Sequence, residues 1–177
     1  MAKGSGNTRM KKTTRPKLQQ STIAFIEKWN NTSNKELLDE YTKLVEEENN
    51  KVPQIIQPSL VNNEAVKYYQ MTSTINKKLR GLSSSPLSET QTRTIDAIDN
   101  LLSQSQLKKG IVVYRGTKDH PYDNQGYIST SISPIVAADF GKVKAYYIPK
   151  GVHALWIGGL EKEMLLPKGI NIKKYEL

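Results

Sequence analysis

Glu161 and Glu163 stand two residues apart, after Gly158-Gly159-Leu160 and before Met164-Leu165-Leu166-Pro167. The glycines suit a tight loop, the apolar run suits a buried strand, and Pro167 ends it. Side chains at i and i+2 of a strand share a face. Both carboxylates are therefore expected to project together from the base of the strand, with Lys162 turned away. Paired carboxylates can run glycosidic-bond chemistry, one stabilising an oxocarbenium-like centre while the other handles a proton. Taken alone, the same pattern also suits a charged loop capping a strand.

Two further stretches carry chemistry. Val113-Tyr114-Arg115-Gly116 puts an arginine at the end of an apolar strand, beside a glycine. A guanidinium fork suits bidentate phosphate binding, and glycine lets a ligand approach the backbone. The alternative is an arginine reaching for water or a carboxylate. In Gly126-Tyr127-Ile128-Ser129-Thr130-Ser131, strand alternation places Ser129 and Ser131 on one face and Thr130 on the other. A buried hydroxyl needs a partner, so this strand either lies at a solvated edge or bonds something specific.

The elements that must position these residues follow from periodicity. Ile23, Phe25, Ile26 and Trp29 mark a short amphipathic helix capped by Ser21 or Thr22. Ser33 or Asn34 caps a second, with Leu37, Leu38, Tyr41, Leu44 and Val45 at helical spacing, and Pro53 and Pro58 make Val52 to Val61 a linker. A third helix is expected from Asn63 through Ala65, Tyr69, Met71, Ile75 and Leu79 to a stop at Gly81. A fourth opens at Ser88-Glu89 and carries Ile95, Ile98, Leu101 and Leu102.

After Gly110 the period becomes strand-like, with candidates at 111–114, 127–132, 143–148, 154–157, 164–166 and 170–175; only Pro134 to Phe140 looks helical among them. Helices first and strands afterwards predict an α+β fold with an antiparallel or mixed sheet. No G-x-G-x-x-G follows a strand, which argues against a Rossmann cofactor site.

Composition narrows the classes. The 177 residues are one domain's worth. Without cysteine there are no disulfides or thiolate ligands, and His120 and His153 are scant material for a zinc site or a Ser-His triad. No apolar run of about 18 residues spans a membrane, and no apolar h-region follows the charged N-terminus. The net charge of +9 is concentrated in residues 1–20, which hold Lys3, Arg9, Lys11, Lys12, Arg15 and Lys17 and no acid. This stretch is expected to be a disordered basic arm, able to bind nucleic acid or another polyanion, or simply solvated.

Taken in order, the Tyr-Arg-Gly strand, the Ser-Thr-Ser strand and the Glu-x-Glu stretch resemble the bacterial and phage mono-ADP-ribosyltransferases of the Arg–Ser–Glu class, above all the clostridial binary-toxin and Rho-modifying exoenzymes. Ile75-Asn76-Lys77-Lys78-Leu79-Arg80-Gly81 looks like the family's helix ending, and Pro149-Lys150-Gly151 and Leu165-Leu166-Pro167-Lys168-Gly169 look like its strand ends. The resemblance covers roughly residues 60–177. It implies an N-terminal helical part (about 21–108) packed on a split, bent mixed or antiparallel β-sandwich (about 109–177), with NAD as substrate in a cleft and no metal.

The resemblance also assigns roles. Arg115 would bind the NAD phosphates, with Arg80 approaching from the helix side. Gly116 would admit the nicotinamide amide to the backbone, and Phe140 would close over phosphate and nicotinamide. Ser129 would orient the catalytic glutamate, with Thr130 and Ser131 supporting the strand. Glu163 would stabilise the oxocarbenium ion and Glu161 would activate the acceptor, expected to be arginine. Three departures stand out: Lys142 where relatives carry arginine, only 13 residues between Arg115 and Ser129, and an acceptor loop of Gly158-Gly159-Leu160 whose nearest aromatic is Trp156.

The expected function is transfer of ADP-ribose from NAD to a protein, by an enzyme of a phage or mobile element or a toxin delivered without a classical signal. At a single domain's length it is expected to lack a partner-binding or translocation domain. The alternatives are ADP-ribosylation of nucleic acid, NAD hydrolysis without an acceptor, and a non-catalytic, basic, nucleic-acid-associated protein. The expected location is the cytoplasm or a target cell.

Overall fold

The computed structural model describes residues 17–49, 59–117 and 124–177. Most of the basic arm, most of the 52–61 linker and His120 lie outside the described residues. The helices are α1 (Gln20–Thr32), α2 (Lys35–Asn49), α3 (Glu64–Met71), α4 (Thr74–Leu79), α5 (Glu89–Ser103) and α6 (Pro134–Ala138). The strands are β1 (Ile111–Thr117), β2 (Ile128–Ser131), β3 (Lys142–Ile148), β4 (Leu155–Gly158), β5 (Glu163–Leu166) and β6 (Lys173–Lys174). Among the described residues no helix is long and apolar enough to cross a membrane.

Local chemistry sets the boundaries. The Asn63 side chain accepts from the Val66 amide to start α3. Ser88 and Gln91 form a reciprocal capping box at α5. α1 begins a residue before its expected cap and has no side-chain cap bond; its C-terminal half is instead held by tertiary contacts. Trp29 donates to the Gly141 carbonyl (2.9 Å), and the Asn30 amide group exchanges two hydrogen bonds with Val143.

The expected single helix over 63–81 is two helices. Thr72 is extended (φ −134°, ψ 133°), and its hydroxyl oxygen accepts from the Thr74 amide at 3.1 Å, opening α4 instead of continuing α3. A run of three hydroxyl residues competes for backbone groups in this way. Beyond the break, α4 and its C-cap bring Asn76 and Arg80 to the cleft described below. The last expected strand, 170–175, shortens to the two residues of β6.

The six strands form one sheet in the order β4-β5-β2-β1-β3-β6, with every pairing antiparallel. Its halves are joined by a single residue pair, Tyr114↔Ser131. Apolar clusters lie on both outer faces and between the halves. α3, α4 and α5 pack on the β4–β5 half through Tyr69, Ile75, Ile98 and Leu165. α1, α2 and α6 pack on the β1–β3 half through Phe25, Trp29, Tyr114 and Ala145. Between the halves sit Val113, Ile128, Tyr146, Ile148, Met164 and Leu166. This arrangement is the split sandwich expected above, and Ser129 to Ser131 lie at its centre, not at an edge.

Candidate active site

A cleft of about 280 Å³ opens where β1 and β2 part. Arg115 and Gly116 line it from β1, Ser129 to Ser131 from β2, Asn76 and Arg80 from α4, Ala137 and Phe140 from α6 and its exit, and Glu161 and Glu163 from the β4–β5 turn and β5. The cleft thus gathers every residue to which the family resemblance assigned a role in NAD binding or catalysis.

Arg115 sits one residue past the single β1–β2 pair. Its Nη1 donates to the Ser129 carbonyl at 3.1 Å, so the guanidinium satisfies a backbone acceptor that the diverging strand would otherwise strand. Arg80 caps α4 from the other wall: its Nη2 donates to the Tyr127 carbonyl at 3.0 Å, while its Nε is buried without a hydrogen-bond partner. Asn76 ties α4 to β2 by accepting from the Tyr127 amide (3.0 Å) and donates to the Tyr69 hydroxyl at 2.6 Å. Two cationic groups at a polar, half-enclosed wall suit a phosphate-bearing ligand.

Glu163 is 5% exposed. Gln70 Nε2 donates to its Oε1 at 3.0 Å, while Oε2 is buried and makes no hydrogen bond. Burial raises the Glu163 pKa above the ordinary carboxylate value; the Gln70 hydrogen bond and the neighbouring Ser129 hydroxyl oppose this, and the Glu161 charge adds to it. A buried carboxylate with one unoccupied oxygen is costly to hold for structure alone. It suits a site where a developing positive charge completes the pairing.

Glu161 is not on the strand. β5 begins at Glu163, and the preceding residues turn, with Gly158 and Gly159 at φ 75° and 72° and Lys162 at φ 45°. The shared-face argument therefore fails, because the left-handed Lys162 interrupts the extended backbone that alternation requires. The pair still meets at the cleft, Glu163 buried and Glu161 exposed. Ser131 Oγ fixes the turn by donating to the Glu161 carbonyl (2.8 Å) and accepting from the Ser133 amide (3.1 Å).

Thr130 Oγ1 donates to the Met164 carbonyl at 2.6 Å, so two of the three β2 hydroxyls are spent holding β2 to β5 and its turn. Ser129 is exposed to the cleft and acts on Glu163. A Cβ at Gly116 would lie 2.0 Å from the Ala137 carbonyl oxygen, so the glycine is demanded by the close approach of α6. Phe140, half exposed at 50%, stands at the mouth. Lys142 begins β3 opposite Thr117, and Trp156 packs toward the inner cluster from β4. Sequence reasoning missed Gln70, Asn76 and Tyr69 as cleft-side polar groups. Asn76 lies within the helix ending already singled out; Gln70 carries no motif signal.

The family model for the ADP-ribosyltransferase exoenzyme domain matches residues 20–125, more than half of the chain. No curated protein matches the sequence. Among solved structures, exoenzyme S from Pseudomonas aeruginosa, in complex with human 14-3-3 protein beta and bound to carba-NAD, is 22% identical at a TM-score of 0.50; the match covers 59% of this chain and 60% of that one. C3stau2 from S. aureus, solved with NAD, is 19% identical at a TM-score of 0.49 over 83% of this chain and 84% of that one. The Clostridium limosum C3 exoenzyme is 19% identical at 0.48, over 74% and 82%. The first of these shares the fold, and the family model spans α1 to α5 and the arginine-bearing strand β1. The chain belongs to the ADP-ribosyltransferase exoenzyme family.

Proposed function

We propose that the chain transfers ADP-ribose from NAD to an arginine side chain of a protein and releases nicotinamide. The observation that carries this reading is Glu163: a buried carboxylate, one oxygen unpaired, in the same cleft as two arginines and a second, exposed carboxylate.

The residues fit the substrate. Arg80, whose buried Nε lacks an acceptor, lines the cleft together with Arg115, which suits the NAD pyrophosphate. The bond between the nicotinamide nitrogen and ribose C1′ breaks, and its electron pair leaves with nicotinamide, which becomes neutral. Glu163, held on a rigid strand, offers its free oxygen to the ribose side of the developing cation. Nicotinamide is already a good leaving group, so no general acid is needed. An acceptor nitrogen then forms the new bond to C1′. A guanidinium attacks poorly while charged, so its proton must pass to a base. Glu161 would take that proton: its exposure, beside the fully exposed Leu160 (99%), supports a meeting with a macromolecular acceptor.

Incubation with labelled NAD and a cell lysate tests this. Label is expected on protein, at arginine by mass spectrometry, and Glu163→Gln abolishes it. Undiminished transfer by that variant overturns the assignment. Nuclease-sensitive label selects nucleic acid as acceptor, and free ADP-ribose alone selects hydrolysis.

A further inference from the structure

The buried Glu163 carboxylate has a donor that no sequence motif marks. Gln70 lies at the C-terminal end of α3, on a helix whose inner face packs through Val66 and Tyr69. It is itself exposed, so its side chain is not required to fill the core. Yet its amide nitrogen reaches Glu163 Oε1 at 3.0 Å, across 93 residues of chain. Gln70 is the penultimate residue of α3, which stops at Met71. The carboxylate is left with one oxygen held and the other free.

We propose that Gln70 is a positioning residue for Glu163: by holding Oε1 it fixes the carboxylate so that Oε2 faces the ribose, and it favours the ionised form. This rests on Glu163 acting as proposed above, although the contact itself does not. A donor amide is suited to the task because it stabilises the anion without adding a cation that would compete for it. An ammonium or guanidinium at the same place would neutralise the charge that the oxocarbenium centre needs. The other charged or titratable groups around Glu163 are Glu161 from the turn, Tyr69 from α3, Arg80 from α4 and Arg115 from β1. Of these Glu161 pushes the carboxyl toward protonation; Gln70, and after it the Ser129 hydroxyl, act against that.

The test replaces Gln70 by methionine, which keeps the length and removes the donor. Because the residue is exposed, the melting temperature is expected to stay within the range of ordinary surface substitutions. The kcat for NAD cleavage falls by about tenfold or more, the range set by losing a hydrogen bond to a charged group, and KM for NAD holds. The acid limb of the pH–rate profile moves to higher pH, and Gln70→Glu fails to restore it. Independently of activity, the Glu163 side-chain carboxyl carbon, assigned by its loss in Glu163→Gln, is followed by NMR through a pH titration. It is expected to titrate at higher pH in Gln70→Met than in the unaltered chain. An unmoved titration overturns the inference whatever the rates do, and a fall in kcat with an unmoved acid limb assigns Gln70 a merely structural role. Absence of NAD cleavage by the unaltered chain overturns the functional reading instead, while the titration still decides for or against Gln70.

Discussion

β1 and β3 stay paired from Ile111↔Ile148 to Thr117↔Lys142, whereas β1 and β2 meet only at Tyr114↔Ser131. The first ladder builds a stiff half-sheet whose cleft end is cationic, with Arg115 directly opposite Lys144. Beyond the single pair, β2 continues into the other half, where Ser131 opposes Glu163 and the cleft end is anionic. A fully zipped sheet would leave no room between these ends. Parting the strands after one pair makes the cleft, and it puts the Arg115 guanidinium, proposed to bind phosphate, and the Glu163 carboxylate, proposed to stabilise the cation, on opposite sides of it. Both outer faces are clamped by their own helices, so neither half needs the missing ladder for stability. The division predicts that lesions in the two halves have different kinetic signatures.

The largest contrast is between Glu163→Gln and Arg115→Lys. On the proposed mechanism Glu163→Gln removes a charge that acts on the transition state, so kcat is expected to fall by about 10²–10³ or more while NAD still binds. Arg115→Lys keeps the charge and loses the planar fork, both for phosphate and for the Ser129 carbonyl. KM for NAD then rises, by about tenfold as an order of magnitude for one lost charge-assisted hydrogen bond, and kcat changes less. Steady-state kinetics on both variants would break the comparison if the two showed the same split between kcat and KM.

The same carboxylate sets a stability difference with a definite sign. The folded protein holds the Glu163 proton more tightly than the unfolded chain, because burial raises its pKa. Its contribution to stability is therefore fully present below the ordinary glutamate pKa and is lost as pH rises through the raised value. Gln mimics the protonated side chain, so Glu163→Gln is expected to melt higher than the unaltered chain at neutral pH, with the gap closing near pH 4. Thermal melts across that range check it. A variant that melts lower at neutral pH would show that the ionised carboxylate stabilises the fold, and the unpaired oxygen would need another account.

Most of the architecture was legible because period-2 apolar runs and helical stripes are produced by burial, and burial here is regular. Strands 111–114, 143–148 and 164–166 lie inside the observed elements for that reason. What escaped depends on single side chains competing for backbone groups. Thr72 breaks a helix that the apolar stripe would have continued, and Lys162 adopts a left-handed turn that ordinary alternation cannot foresee. Lys162 adjoins Glu163 in sequence, and Thr72 lies two residues beyond Gln70, the hydrogen-bond donor to Glu163. The residues with chemical signatures, Arg115, Ser129, Glu161 and Glu163, could be named from sequence and do share the cleft. Gln70 could not, since an exposed glutamine at a helix end has no distinguishing pattern until the helix is known to stop there.

Ser131 tests where the two halves touch, and its effect should be the smallest. It is the residue that pairs with Tyr114 on one side and Glu163 on the other, so its backbone is fixed by both ladders. Its hydroxyl adds only local bonds, to the Glu161 carbonyl and from the Ser133 amide. Ser131→Ala leaves that amide short of an acceptor in a buried setting and costs about 1–2 kcal/mol of stability. Glu163 keeps its strand position, so NAD cleavage is expected to stay within a factor of about two. The turn carrying Glu161 loses its anchor, and transfer to protein falls more than cleavage does. Comparing labelled protein with released nicotinamide in one reaction reads this ratio directly. Equal losses in both would mean that the turn and the strand act as one unit, and that acceptor activation is not separable from bond breaking in this fold.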